Sequence, residues 1–210
     1  MIMQTKHLPL LFFLVFSCGA ASAQDRLWSK ITINSSLQDT FSFKKNWEYA
    51  WYMIKHRNGK FEKITGTKIT PADKERLYFT AGCSTNVQGE HNINYCTAEQ
   101  DTSEIRLRFV DGKPAYSNQF VVHLKGDSFY FETGVAYKMA IPGYSITYRV
   151  TKQQLVMNKT AYELNDKMLG YIDVEFTETT SHPQKETIYH YYYLRGYFST
   201  PLKLPQTKEF

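Results

Sequence analysis

From Trp47 to Phe198 the chain alternates apolar and polar residues in one short segment after another. A period of two sends successive side chains to opposite faces, so each such segment reads as a strand with one face to bury. "EIRLRFV" (104–110) sets Ile105, Leu107 and Phe109 against Glu104, Arg106 and Arg108, and "NQFVVHLKG" (118–126) sets Phe120, Val122 and Leu124 against Gln119, Val121 and His123. Further strands are expected at 47–56, 60–66, 76–83, 91–98, 128–132, 145–152, 154–159, 170–179 and 187–198. Asn58-Gly59 between the first two predicts a hairpin, because both central turn residues need positive φ. Gly89, Asp111-Gly112-Lys113-Pro114 and Gly126-Asp127 supply further turns.

Helical signals are few. "TPADKERL" (70–77) has a capping threonine, proline at the first helical position and acids in the first turn, which predicts one short turn of helix. "TAYELNDKML" (160–169) is the other place that looks helical, and is ambiguous. Residues 133–144 read as a long loop and "TSHPQKE" (180–186) as a polar connection. About ten strands with short connections predict an all-β, antiparallel fold. An up-and-down barrel is favoured over a two-layer sandwich, because the strands follow one another almost consecutively. Cys83 and Cys96 are also too close in sequence to bridge two sheets around a central tryptophan.

Residues 1–23 stand apart. Lys6 and His7 precede the apolar run Leu8 to Phe16, and the segment closes on Ala21-Ser22-Ala23. This is the pattern of a secretory signal peptide cut between Ala23 and Gln24, which leaves 24–210 as a single antiparallel β domain. The expected location is secreted or periplasmic. Val15-Phe16-Ser17-Cys18 offers a competing lipoprotein box with a lipid anchor at Cys18, for which Phe16 is bulky. No apolar run reaches the roughly 20 residues of a membrane-spanning helix, so no transmembrane segment is expected. The net charge of +5 is scattered rather than clustered, and a nucleic-acid partner is not expected.

In an exported chain, Cys83 and Cys96 are expected to form a disulfide around "CSTNVQGEHNINYC". His91 lies between them, but a zinc site would need more ligands at suitable spacing. No metal or cofactor is expected. The chain has no nucleophile elbow, H-E-x-x-H, C-x-x-C, phosphate loop or dinucleotide fingerprint. In "YIDVEFTE", Asp173 and Glu175 share a strand face; two acids so placed either serve glycoside hydrolysis or form a solvated strand face.

"YHYYYLRGYFSTPLK" (189–203) is dense in aromatics. Alternation sends Tyr189, Tyr191, Tyr193 and Arg195 to one face, and Ile188, His190, Tyr192 and Leu194 to the other. If 170–179 pairs with this segment, Asp173 and Glu175 come beside the tyrosine face, where Arg195 can pair with one of them. In "WEYAWYMI", Trp47 and Trp51 also share a face. An early tryptophan strand together with an arginine in the last long strand is similar to lipocalin-like barrels. The resemblance implies that the arginine packs over the tryptophan and closes the barrel base, although Asn46 stands before Trp47 and no Gly-x-Trp is present.

Two functions are weighed on these residues. The first is a secreted, non-enzymatic barrel that binds a small hydrophobic or amphipathic molecule through Trp47, Trp51, Tyr191, Tyr193 and Arg195. The second is an envelope-associated module, with or without a lipid anchor, that meets a protein or glycan through its tyrosine face. A cavity above about 300 Å³ lined by aromatics favours the first. A filled interior with an exposed tyrosine sheet favours the second.

Overall fold

The computed structural model describes residues 27–37, 52–75, 77–111, 119–135 and 142–205. The segments are β1 (Ser29–Lys30), β2 (Thr32–Ile33), β3 (Met53–Lys55), β4 (Phe61–Lys63), the five-residue α1 (Pro71–Glu75), β5 (Ala81–Thr85), β6 (His91–Ile93) and β7 (Tyr95–Gln100). They continue with β8 (Ile105–Val110), β9 (Gln119–Lys125), β10 (Ser128–Gly134), β11 (Ser145–Met157), β12 (Lys167–His182) and β13 (Lys185–Lys203). Trp47, Trp51, Cys18 and the leader lie outside the described residues.

The architecture is a large sheet nearly closed into a barrel. Strands β7 to β10 form one meander and β11 to β13 another, each strand pairing antiparallel with the next. The sheet is mixed, where the alternation predicts a purely antiparallel one. In a run of seven alternating strands the first and last point the same way, so β13 meets β7 as a parallel pair, Leu202 opposite Ala98. The other junction is filled from the N-terminal side. β1 pairs antiparallel with β10 (Ser29 opposite Phe129), and β2 pairs parallel with β11 (Thr32 opposite Val156). Residues 29–33 therefore lie as one strap between the two meanders.

Gln153 of β11 ties this seam together. Its side-chain oxygen accepts from the Phe131 amide at 3.1 Å, and its nitrogen donates to the Leu27 carbonyl and, at 2.9 Å, to Ser29 Oγ. One amide thus connects β11, β10 and the strap, satisfying backbone groups that no regular ladder reaches. The Ile31 amide adds a 2.8 Å bond to the Asp127 carbonyl.

Burial follows the expected alternation. Leu107, Phe109, Phe120, Val122, Phe129, Ile172, Val174, Phe176, Leu194 and Phe198 are almost wholly buried. Their rings pack as Phe109 on Phe198 (5.3 Å, edge to face), Phe120 on Phe131 (5.9 Å) and Phe131 on Phe176 (5.8 Å). Each such pair adds about 0.5–1.5 kcal/mol to the area it buries. The fit is tight: a Cβ on Gly170 would stand 2.2 Å from the Phe198 ring, and one on Gly196 would stand 2.3 Å from the Gly82 carbonyl oxygen.

Several boundaries differ from expectation. The 145–152 and 154–159 segments are one strand, β11, with an irregularity between Val150 and Lys152 that switches which residues face inward. "TSHPQKE" is mostly strand, since β12 and β13 run together to a tight turn at Pro183 and Gln184. The expected loop at 133–144 begins later, because β10 reaches Gly134; residues 136–141 lie outside the described set. The Asn58-Gly59 hairpin forms, with Gly59 at φ 79°, as a small separate sheet of β3 and β4.

The expected disulfide is absent: Cys83 and Cys96 are free, buried thiols in the main core. Cys83 sits on β5 opposite Ile93, and Cys96 lies beyond it on β7 opposite Phe109. The cysteines occupy separate strands of a packed interior, each as a small apolar side chain. Burial pushes both thiols far up from their ordinary range, so neither ionises readily.

Candidate functional site: the outer tyrosine face

β13 is 19 residues long; it is open on both faces from Lys185 to Tyr191, and its outward side chains form a ladder along the outside of the β11–β12–β13 sheet. The register sets the rows. Tyr189 stands opposite Thr179, Tyr191 opposite Thr177, Tyr193 opposite Glu175, Arg195 opposite Asp173 and Tyr197 opposite Tyr171. On the far side of β12 the rows continue to Thr147, Arg149, Lys152, Gln154 and Val156 of β11. Tyr191 is 74% exposed, and Tyr189 and Tyr197 are also open to solvent. Tyr192 and Leu194 turn the other way, and Leu194 is fully buried. The facing expected from alternation holds at Tyr192 and Leu194, whereas Ile188 and His190, expected on the same buried face, are exposed because the end of the hairpin has no layer beneath it.

At the centre of this face two cations and two anions are interlocked. Arg195 donates from Nε to Asp173 Oδ1 at 2.8 Å and from Nη2 to Glu175 Oε1 at 3.1 Å. Lys152 donates to Asp173 Oδ2 at 2.8 Å and lies 3.4 Å from Glu175 Oε1. Burial by itself would raise the Asp173 carboxyl, but hydrogen bonds and charge from Lys152 and Arg195 outweigh it and hold Asp173 below the usual carboxylate range. The same contact, led by the hydrogen bond to Asp173, raises both Lys152 and Arg195. The four charges cancel. The Arg195 guanidinium also lies 5.8 Å from the centre of the Tyr193 ring, and Tyr171 packs on Tyr197 at 4.9 Å. Arg195 is thereby held flat against the sheet.

Asn86 fixes the middle of the ladder. Beyond the end of β5 its side chain imitates a strand residue, accepting from the Tyr193 amide at 3.0 Å and donating to the Tyr191 carbonyl at 2.9 Å. Thr85 Oγ1 donates to the Tyr193 carbonyl at 2.6 Å. The backbone carrying Tyr191 and Tyr193 is thus bonded on both sides, and their rings project from a rigid support.

Of the residues singled out from sequence, Tyr191, Tyr193 and Arg195 come together on this face, while Trp47 and Trp51 lie outside the described residues. Arg195 pairs with both acids rather than one. Lys152, Asn86, Tyr171 and Tyr197 belong to the same surface and were not singled out. Tyr197 has the parity of Tyr193, which could have found it; Lys152 reaches the face only through the β11 irregularity, which sequence periodicity does not reveal. Among the described residues no group of three or more histidine, cysteine or acidic side chains is placed to hold a metal ion. Comparison of the chain with protein-family models, curated proteins and solved structures finds no match.

Proposed function

We propose that this chain is an exported, non-enzymatic interaction module that meets a glycan or protein partner through the outer tyrosine face of β11–β12–β13. The observation that carries the reading is the ladder of exposed Tyr189, Tyr191 and Tyr197, with half-buried Tyr193 between them, around a neutralised charge cluster. Tyrosine offers a flat apolar ring with a polar tip at small entropic cost, which suits it to contact surfaces. Interlocked charges leave stacking and neutral hydrogen bonding as the chemistry on offer. Both acids are engaged by cations, which disfavours a general-acid role for Asp173. The core packed among the described residues weighs against a small hydrophobic molecule held at the barrel centre.

The test uses the mature chain from Gln24 on glycan arrays and in affinity capture from envelope extracts. Tyr191→Ser should abolish the captured signal while the circular dichroism spectrum stays unchanged. Binding that survives both Tyr191→Ser and Tyr189→Ser would remove the tyrosine face from the reading. The export component is checked by intact mass, which should correspond to residues 24–210 rather than to a chain acylated at Cys18.

A further inference from the structure

The end of the barrel where residues 101–104, 126–127 and 158–162 turn carries a second concave site, independent of the tyrosine face. A cavity of about 310 Å³ opens there, at the mouth of the barrel. Barrel mouths are a preferred place for small-molecule sites, and this volume lies at the lower end of their usual range. One side of it is apolar, formed by Ile31 and Ile33 of the strap, Ile105, Leu124, Met157 and Tyr162, and the rest of the lining is polar or charged. Met157 and Leu124 belong to the core, whereas Ile33 is 41% exposed on the same wall. A β-branched apolar side chain left half open inside a concavity is a site for a ligand's apolar part rather than a scattered surface residue.

The ionic side chains around the cavity decide which polar group such a ligand carries. Asp101 is paired with Arg106 at 2.9 Å, Glu104 lies 3.7 Å from the same arginine and 3.0 Å from His123, and Asp127 lies 3.8 Å from Lys30. Lys159 is engaged by Asp166 and lies over the Tyr162 ring. Among the described ionic residues lining the cavity, only Lys125 has no ion-pair partner. It ends β9, immediately after Leu124 of the apolar wall. The uncommitted charge at the mouth is therefore positive and adjacent to the apolar surface.

We infer that this cavity binds a small amphipathic carboxylate, with its apolar body against Ile31, Ile33, Ile105 and Met157 and its carboxylate at Lys125. At roughly the 30 Å³ that one water occupies in the liquid, the cavity accommodates about ten non-hydrogen atoms. Octanoate matches that size and is the probe. The mature chain is titrated with octanoate, 1-octanol and octylamine, following backbone amide shifts by NMR and heat by calorimetry. Octanoate should bind most tightly and shift the amides of Ile33, Ile105, Gly126 and Thr160. Lys125→Glu should weaken octanoate at least tenfold and make octylamine the better ligand. Ala161→Trp, at an exposed position on the rim, should occlude the cavity and remove the binding of all three. The inference is overturned if millimolar octanoate leaves those amides unmoved, if Lys125→Glu binds octanoate as the parent does, or if folded Ala161→Trp still binds it. The Lys125→Glu comparison decides the matter if the tryptophan variant does not fold. None of these results depends on Tyr191, so the two sites stand or fall separately.

Discussion

Tyr191 and Leu194 lie three residues apart on β13, one mostly solvated and the other wholly enclosed. Replacing Tyr191 by threonine keeps a good strand residue at an open position and should move stability by no more than about 0.5 kcal/mol. Leu194→Ala leaves a cavity in the main core opposite Val174 and should cost about 2–5 kcal/mol. Urea midpoints of the two variants measure the contrast, and a more damaging Tyr191→Thr would mean that the ladder is core. The cysteines give a second test at this scale. With both thiols buried and held in the neutral form, a thiol reagent should label neither in the native protein and both once it is unfolded in denaturant. Finding no thiol after unfolding would restore the bridge expected from the loop length. Tyrosine parity was legible in the sequence because it depends only on backbone geometry. The state of the thiols was not, because proximity in sequence says little about which strands two residues occupy.

Among the elements, α1 is short enough to depend on its cap. The Asp73 amide donates to Thr70 Oγ1 at 3.2 Å while the Asp73 carboxylate accepts from the Thr70 amide at 2.7 Å, a reciprocal pair that the sequence announced with threonine, proline and acid in order. Lys63 of β4 adds an ion pair at 2.7 Å. Together, Lys63 first and then Thr70, these contacts hold the Asp73 carboxyl down to about 2. In the unfolded chain it titrates near 3.9. The stabilisation it contributes is therefore fully present above that value and is lost as the pH falls through about 2. Carboxyl NMR titration should find the low value in the parent and a clear rise in Lys63→Met. β11 marks where reading by element ran out. Ile146, Tyr148 and Val150 turn inward before the irregularity, and Leu155 and Met157 after it. The inward set changes from even to odd positions, so a period-two reading necessarily divides one strand in two.

For the molecule as a whole, alternation carried the fold class, the number of strands and most of the buried face. What it could not carry was closure. Nothing in "SKITI" distinguishes a strap from an exposed segment, because its partners are β10 and β11, about a hundred residues further along the chain. The parallel contact of β13 with β7 likewise follows from counting strands in the finished barrel, not from any local pattern. Gln153 shows the same limit: in sequence it is one glutamine in a polar pair, and in the fold its amide serves three strands. Gln153→Ala should cost about 1–3 kcal/mol, since the Phe131 amide loses its acceptor. Its urea midpoint should fall, and the Ile31 amide should exchange with solvent faster than in the parent.

The strap also has a meaning for solubility. Two residues of β1 and two of β2 stand between the long edges of β10 and β11. When they lift away, Ser128–Phe129 on one edge and Val156–Met157 on the other lose their strand partners, and such edges are templates on which other chains assemble. Local opening of the seam, rather than global unfolding, then sets the rate at which copies of this protein stick to one another. At equal concentration, light scattering should grow sooner in Gln153→Ala than in Leu194→Ala, even where the latter is the less stable of the two.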